Sequence, residues 1–408
     1  MVNFAENNLI FMIQISQRIQ ALAPSATLAM SQKSAELKAA GVDVINMSVG
    51  EPDFNTPDFI KEAGKKAIDD NFSRYSPVPG YLSLRKAIAG KLLRENKIEF
   101  APEQIVVGNG AKQELCNVLL ACINPGDEVI IPVPAWVSYV EMVKLAEGVT
   151  VEVYAGVDQD FKITPAQLEK AITPKTRMIM LNSPSNPTGS IYSYDELKGL
   201  AEVLAKYPDI IILADEIYEH INFVEEVHSI SEFESVRDRV VIINGVSKAY
   251  AMTGWRIGYM AGPLAIAKAV TKLQGQYTSG CSSIAQKAAE AAYNGPQDCL
   301  ESMRQAFERR RDLIVELAGQ IPGWVINKPQ GAFYLFPEVS SFIGKKYGDR
   351  EIKCSGDYVM YILEEAHVAC VDGAAFCAPG YMRLSYATSD DNIREAMRRI
   401  KEASAKLV

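Results

Sequence analysis

The feature that most constrains the fold is a regular alternation between short apolar runs and longer stretches with helical spacing. The runs are bounded by Gly, Pro, Asn or Asp, and in chain order they are QIVVGNG (104–110), DEVIIPVP (127–134), TVEVY (150–154), RMIMLNSP (177–184), DIIILADE (209–216), RVVIINGVSK (239–248) and RIGYMAG (256–262). Strands that alternate with helices predict a mostly parallel sheet covered by helices on both faces. We therefore expect an α/β protein whose large domain contains a mostly parallel, seven-stranded sheet flanked by helices.

A second, smaller domain is expected because 408 residues exceed what one small core organises. A charge-rich helical stretch at 295–323 is predicted to bridge to it, and the strand-like segments 331–337 and 382–388 enclose another helical stretch. We expect the N-terminal segment 41–57 to pack with this α+β unit. The predicted division is an N-terminal arm over 1–15, a small domain over 16–60 and 312–408, and a large domain over 61–311.

Composition excludes several classes of protein. The formal charge of −8 gives no basic surface for nucleic acid, and no apolar run approaches the ~18 residues of a membrane span. The seven cysteines form no C-x-x-C pair, so we expect reduced, largely buried thiols and a cytosolic protein. The three histidines lack metal-motif spacing, so no metal site is expected.

The residues that could bind a ligand or take part in a reaction follow the ends of the predicted strands. In open α/β sheets, ligands bind outside the carboxyl ends of the strands. The residues found at those ends are Gly108, Gly110, Ala111, Lys112, Trp136, Asn186, Asp215, Tyr218 and Lys248. If the sheet is as predicted, these residues converge on one crevice.

Together these residue types describe a pocket for pyridoxal 5′-phosphate. A glycine-rich turn before a helix offers N–H groups to a phosphate, an aromatic ring offers a stacking face, and a carboxylate pairs with a protonated ring nitrogen. Lys248 would be the Schiff-base lysine and Arg256 the cation of the phosphate. Each residue alone is more often a cap, turn or core residue, so the prediction depends on their combination. A nicotinamide-dependent oxidoreductase is a weaker alternative, since GNGAKQ lacks the third glycine of G-x-G-x-x-G.

Four motifs in this chain carry a resemblance to a known family. NSPSNPTG, ADEIYEH, SKAYAMTGWRIGY and MRLSY stand in the order and approximate separations of class I aminotransferases of the aspartate aminotransferase fold, the fold-type I group of pyridoxal-phosphate enzymes. The similarity runs from about Arg18 to the C-terminus. It implies an aspartate aminotransferase-like fold in which the smaller domain is built from both chain ends.

The resemblance also implies roles for individual residues. Lys248 carries the cofactor and moves the proton, Asp215 pairs with the ring nitrogen, and Tyr218 contacts the ring's phenolic oxygen; these three are the expected catalytic residues. The expected cofactor contacts also include Gly110, Ala111, Lys112, Trp136, Asn186, Ser247, Arg256 and, from the neighbouring subunit, Tyr75. The expected substrate contacts are Gly50, Trp136, Asn186, Lys112 and Arg383, the last binding the α-carboxylate. Gly245 departs from the family, because many relatives carry a hydroxyl there.

The implied activity is transamination between an amino acid, aspartate or glutamate first, and a 2-oxo acid such as 2-oxoglutarate or oxaloacetate, in amino-acid metabolism and biosynthesis. Lys112 stands where a bacterial subgroup, some of whose members also use prephenate, carries a lysine for the distal carboxylate. A homodimer with shared active sites is implied as well. The alternatives are an aminotransferase for prephenate, aromatic or neutral amino acids, a β-elimination lyase, or a non-catalytic regulator of the same fold.

Overall fold

The computed structural model describes residues 14–408, so the expected N-terminal arm over 1–15 lies almost entirely outside the described residues. The α-helices within this range are α1 (Gln17–Gln20), α2 (Ala26–Ala39), α3 (Asp58–Asp69), α4 (Leu82–Asn96), α5 (Ala111–Cys122), α6 (Ser138–Leu145), α7 (Pro165–Ala171), α8 (Tyr194–Leu204), α9 (Leu264–Tyr277), α10 (Ser283–Asn294), α11 (Asp298–Ala318), α12 (Ser355–Tyr361) and α13 (Asp390–Ser404). The strands are β1 (Ile45–Asn46), β2 (Ile105–Gly108), β3 (Glu128–Val133), β4 (Val149–Tyr154), β5 (Thr176–Asn182), β6 (Ile211–Asp215), β7 (Val240–Gly245), β8 (Gly258–Ala261), β9 (Tyr334–Leu335), β10 (Lys346–Tyr347), β11 (Arg350–Glu351), β12 (Val368–Ala369), β13 (Val371–Asp372) and β14 (Met382–Ser385).

The large sheet confirms the prediction from the apolar runs. Its order is β2-β8-β7-β6-β5-β3-β4, and each strand comes from one of the seven runs. Strands β4, β3, β5, β6 and β7 run parallel to one another, whereas β8 is antiparallel to both β2 and β7. Strands β6 and β7 are buried along their whole length, because helices cover both faces of the sheet.

Two apolar layers enclose this sheet. On one face, side chains of α4, α8 and α10 pack against the strands, with Ile88, Leu200 and Ala288 fully buried. On the other face, α5, α6 and α9 pack in the same way, with Val118 and Val143 fully buried. Parallel strands buried on both faces are stabilised by this apolar burial, which fixes the positions of the strand ends.

The chain ends meet in a separate core. Strands β13, β14 and β9 form a small antiparallel sheet, and β1 pairs in parallel with β12 through Ile45–Val368 and Asn46–Ala369. The expected packing of 41–57 with the C-terminal unit is thus confirmed. Helix α11 joins the two parts, because its Leu300 packs with the large-sheet core and its Phe307 with the C-terminal core.

The cysteines differ in part from expectation. All seven are free thiols, as predicted, but only Cys281 and Cys370 are buried, and Cys354 is exposed. The expectation of largely buried thiols was wrong because helix positions such as Cys116 and Cys122 lie at the edge of the helix face that packs on the sheet.

Within residues 14–408, no helix combines the length and the apolar character needed to cross a bilayer. The cytosolic location stays a prediction.

A buried ion pair ties helix α4 to the strand ends. Lys91 is fully buried, and its ammonium donates to the Glu219 carboxylate and to Asn96 Oδ1, the latter at 2.8 Å. Glu219 also accepts from Asn244 Nδ2 at 2.7 Å. Glu219 follows Tyr218, and Asn244 lies four residues before Lys248. The ion pair and its hydrogen bonds therefore connect α4 to the two segments that carry these predicted site residues.

We expect Lys91→Met to lower the free energy of unfolding by about 3–5 kcal/mol, because it leaves the buried Glu219 carboxylate without its cation. The matched control is Lys65→Met, since Lys65 pairs with Glu62 while its side chain is 67% exposed. The control should lose less than about 1 kcal/mol. Urea denaturation of both variants at one protein concentration measures the difference, and equal stability of the two would contradict a structural role for the buried pair.

Candidate active site

A cavity of about 310 Å³ opens at the carboxyl ends of the central strands. It brings together eleven of the residues predicted from the sequence, which are Gly50, Ala111, Lys112, Trp136, Asn186, Asp215, Tyr218, Ser247, Lys248, Arg256 and Arg383. Gly110 lies directly beside it, next to Arg256. Tyr75 lies elsewhere: it is 97% exposed and belongs to a separate surface cleft with Arg74 and Ser283.

Lys248 lies inside the cavity with its amine held by backbone. Its Nζ donates to the carbonyl oxygen of Gly50 at 2.5 Å. Burial lowers the pKa of Lys248 to about 8, while Glu51 opposes that shift and the Arg383 guanidinium adds to it. A lysine with such a pKa is a usable nucleophile and proton acceptor near neutral pH.

Asp215 ends strand β6 and is held by a residue that the sequence analysis missed. The Tyr139 hydroxyl donates to Asp215 Oδ2 at 2.6 Å, and the Ile217 N–H donates to Oδ1 at 3.3 Å. Burial raises the pKa of Asp215 to about 6, although these hydrogen bonds oppose the shift. Tyr139 follows Trp136 by three residues, and their rings meet edge to face at 5.4 Å. That helical spacing was the available signal.

Arg383 is a buried cation without a carboxylate partner in the described part of the chain. It is 1% exposed, donates to Asn186 Oδ1 at 2.9 Å and to the Ser48 carbonyl at 2.6 Å, and its Nε has no hydrogen-bond partner there. Its guanidinium carbon lies 4.5 Å from the Tyr334 ring centroid. Burial lowers its pKa, so the site favours an incoming anion that compensates the charge.

Tyr334 is a second residue that sequence reasoning missed. Its hydroxyl lies 2.8 Å from the Tyr218 hydroxyl, and both side chains are buried. Tyr334 therefore contacts both Tyr218 and Arg383, which come from distant parts of the chain. Its position in GAFYLFP predicted a strand and gave no indication of this contact.

The turn before α5 offers free backbone donors. Gly110 has φ +87°, a conformation that favours glycine, and a side chain there would meet the Arg256 guanidinium. The first N–H groups of a helix have no intrahelical partner, so the α5 N-terminus presents donors and a positive dipole end. Arg256 is fixed beside it by hydrogen bonds to the carbonyls of Thr253 at 2.8 Å and Asn109 at 3.0 Å. Such a turn binds phosphate or another anion.

The departure at Gly245 has a steric cause. A Cβ at this position would lie 2.8 Å from both Gly258 Cα and the Ile257 carbonyl oxygen. The close approach of β8 therefore excludes a side chain there. Ser247, two residues later, lines the cavity instead.

Lys112 lines the cavity beside the Trp136 ring. Its Nζ lies 4.8 Å from the Trp136 ring centroid. Burial and the neighbouring Arg256 both lower its pKa. Ser25 and Thr27, at the start of α2, line the same cavity, and the buried Thr27 hydroxyl lacks a hydrogen-bond partner in residues 14–408. No local sequence pattern distinguished these two hydroxyls.

His220 lies outside this cavity. Its Nε2 pairs with Glu95 at 2.9 Å, and together with Glu219 these groups lie close enough to hold a metal ion. The Lys91 ammonium already contacts Glu219 and lies 3.7 Å from Glu95. The cluster therefore has a built-in cation, which disfavours a metal.

Comparison with known proteins agrees with this geometry. The family model Aminotransferase class I and II matches residues 42–400. The chain is 50% identical to an aspartate/prephenate aminotransferase of Nitrosomonas europaea, over 95% of this chain and 99% of the relative. It is 48% identical to an aspartate aminotransferase of Geobacillus stearothermophilus, over 95% and 98% of the two chains.

Solved structures give the same result for the fold. An aspartate aminotransferase from Rhizobium meliloti superposes with a TM-score of 0.94 at 42% identity, covering 97% of this chain and all of that one (100%). An aspartate aminotransferase from Thermus thermophilus, solved with maleate, gives 0.90 at 40% identity, with coverage of 96% and 100%. The α/β fold expected from the sequence is confirmed, and the chain belongs to the class I and II aminotransferase family.

Proposed function

We propose that this aminotransferase transfers the amino group of aspartate or glutamate to a 2-oxo acid, with pyridoxal 5′-phosphate as its cofactor. The observation that carries the proposal is the buried Arg383, which has no carboxylate partner within residues 14–408 and lies in the same cavity as the Lys248 amine. A buried guanidinium without a carboxylate is unfavourable unless a ligand supplies one. An amino acid supplies a carboxylate and an amine that would lie beside Lys248.

The residues present fit the cofactor. The donors at the α5 N-terminus and Arg256 suit a phosphate, and the Trp136 ring offers a stacking face. Asp215, with a pKa raised to about 6 by burial, would be stabilised as a carboxylate by a protonated ring nitrogen. Tyr139 would orient this carboxylate through its hydrogen bond. Tyr218 and Asn186 would form hydrogen bonds with the phenolic oxygen of the cofactor.

Lys248 would perform the proton transfers. When bound, pyridoxal 5′-phosphate supplies an aldehyde carbon that accepts an amino group and a ring that withdraws electrons from the substrate Cα. Lys248 would hold the cofactor, and its Nζ would take the substrate Cα proton as general base and return it as general acid. Its lowered pKa, about 8, suits both roles near neutral pH.

Arg383 would orient the substrate. Its fork of N–H donors matches a carboxylate in two parallel hydrogen bonds, which fixes the direction of the Cα–H bond. Asn186 and the Ser48 carbonyl hold the guanidinium in place from one side. Gly50, whose carbonyl accepts from Lys248, lies close by and would shield the bound carboxylate.

Lys112 would bind the side-chain carboxylate of an acidic substrate. Burial and Arg256 both disfavour its charge, so a second carboxylate on the substrate would compensate it. The Thr27 hydroxyl, which has no hydrogen-bond partner in the described part of the chain, offers an additional donor in the same cavity. Prephenate also has a 2-oxo acid group and a second carboxylate, so the names of the relatives and this arrangement support it as an alternative substrate.

We further propose a homodimer in which Tyr75 reaches the phosphate site of the neighbouring subunit. Its 97% exposure supports this, because a large aromatic side chain at the surface favours an interface.

The division into a small domain over 16–60 and 312–408 and a large domain over 61–311 also stays a proposal. It is supported by the separate apolar core of the C-terminal unit.

Product analysis tests the proposed reaction against its alternatives. Protein reconstituted with pyridoxal 5′-phosphate and given L-aspartate and 2-oxoglutarate should form oxaloacetate and glutamate in equal amounts. Pyruvate with free ammonia would instead indicate a β-elimination lyase. Cofactor binding without any turnover of amino acids would indicate a non-catalytic regulator.

Replacing Lys112 by serine should lower kcat/KM for aspartate and glutamate by tenfold to a hundredfold or more, since a charge-assisted hydrogen bond is worth about 1.5–3 kcal/mol. Steady-state kinetics with L-alanine should change far less, because alanine has no distal carboxylate. Lys144→Ser is the matched control: Lys144 pairs with Glu141 at 2.9 Å and its side chain is 43% exposed. An equal loss for acidic and neutral substrates would assign Lys112 to the phosphate.

Mixing two inactive variants tests the shared site. Tyr75→Ala removes the side chain that would reach the site of the neighbouring subunit, and Lys248→Ala removes the amine from the site of its own subunit. A hybrid dimer of the two variants should therefore contain one intact site. We expect activity to return on mixing, up to about a quarter of the wild-type value for random exchange of subunits. Mixing Lys248→Ala with Asp215→Ala is the control, since both residues lie in one subunit's cavity. Confirmed subunit exchange without recovered activity would exclude the crossing contact of Tyr75.

A further inference from the structure

A buried glutamine connects three segments behind the turn at the start of α5. Gln274, on α9, is fully buried. Its Nε2 donates to the Val78 carbonyl at 2.8 Å and to the Val107 carbonyl at 3.1 Å. Its Oε1 accepts from Asn117 Nδ2 at 3.1 Å. One side chain thus holds the loop that follows Tyr75, the end of β2 and helix α5.

The same network continues to Arg256. The Tyr277 hydroxyl donates to Asn117 Oδ1 and accepts from Gln113 Nε2 at 3.4 Å. Gln113 Oε1 in turn accepts from the Asn109 N–H at 2.6 Å. The Asn109 carbonyl then accepts from Arg256 at 3.0 Å. Every link is a hydrogen bond between named groups, so the turn is anchored through side chains as well as through β2.

Between Gln274 and Asn109 the network is uncharged at neutral pH, and Arg256 is the cation at its end. The acid that touches it is Glu114, which is fully buried and whose Oε1 accepts from Asn117 Nδ2 at 3.4 Å. Burial raises the pKa of Glu114 to about 8. Groups with fixed hydrogen bonds and no net charge hold geometry without repelling a bound anion. This separates the part of the network between Gln274 and Asn109 from the cations of the cavity, Arg256 among them, which attract the anion directly.

We propose that Gln274 is a positioning residue for the cofactor phosphate: it fixes the turn 108–111 and Arg256 in the arrangement that the phosphate needs, without touching the ligand. This proposal rests on the proposed cofactor. Phosphate donors must be aligned before binding for their full effect, so loosening the turn should weaken the phosphate contact and leave the contacts to the ring unchanged.

The test compares pyridoxal 5′-phosphate with pyridoxal, which has the same ring and aldehyde but no phosphate. Cofactor-free wild-type protein and Gln274→Met are titrated with each ligand at pH 7, below the melting temperature of both proteins, and binding is followed by absorbance. We expect the Kd for pyridoxal 5′-phosphate to rise about tenfold, the lower end of what losing a supporting hydrogen-bond partner costs at a ligand site. The Kd for pyridoxal should change by less than about twofold.

A matched control separates positioning from general stability. Tyr358→Phe removes a buried hydroxyl that bonds Ser404 at 2.7 Å in the C-terminal core, far along the chain from the turn. It should lower the melting temperature and leave both Kd values unchanged. If Gln274→Met does not fold, Tyr277→Phe replaces it, because Tyr277 is 52% exposed and its loss interrupts the same network.

The outcomes are distinct. A loss of affinity confined to pyridoxal 5′-phosphate supports the positioning role. An equal loss for both ligands, or no loss in a folded variant, overturns it while the proposed cofactor stands. If wild-type protein binds neither ligand, the proposed cofactor itself is wrong.

Discussion

The parallel register of β5, β6 and β7 is the constraint on which the site depends. Asn182 lies opposite Asp215, and Asp215 lies opposite Ile243, so the three strands end at nearly the same level. The Asn182 side chain also donates to the Asp215 carbonyl at 2.9 Å. A shift of β6 by one residue would turn the Asp215 side chain away from the cavity, because successive side chains point to opposite faces. Burial of both sheet faces holds this register.

Burial of charge is the second consequence of this arrangement. Lys248, Asp215 and Arg383 all lie in one cavity, and burial shifts the pKa of each toward the neutral form. In the protein without ligand, these charged groups are therefore buried without full compensation of their charge, which is unfavourable. A ligand with a phosphate, a ring cation or a carboxylate would supply the compensating charge. Strained electrostatics of this kind concentrate at functional sites. The cavity therefore favours ligands that bring compensating charge to these three residues.

The sequence predicted the strands and the residues at their ends because both depend on local pattern. Asp215 and Lys248 follow apolar runs directly, so the position of the strand determines theirs. The contacts of Tyr334 and Thr27 depend instead on how distant segments pack, and single residues inside helices or strands carry no signal of that packing. The burial of cysteines was mispredicted for the same reason, since the side of a helix that faces the core depends on its neighbours.

The central claim is that Lys248 carries the amino-group transfer in a cavity prepared by the sheet. The most direct measurement is the absorption spectrum of reconstituted wild-type and Lys248→Ala protein after addition of L-aspartate, with no 2-oxo acid present. The account predicts that the wild-type spectrum changes completely and that about one oxaloacetate is released per site, while the variant converts more slowly by a factor of about 10²–10⁴ or more. Conversion of the variant at a rate near that of wild type would contradict the account, because another group would then move the proton.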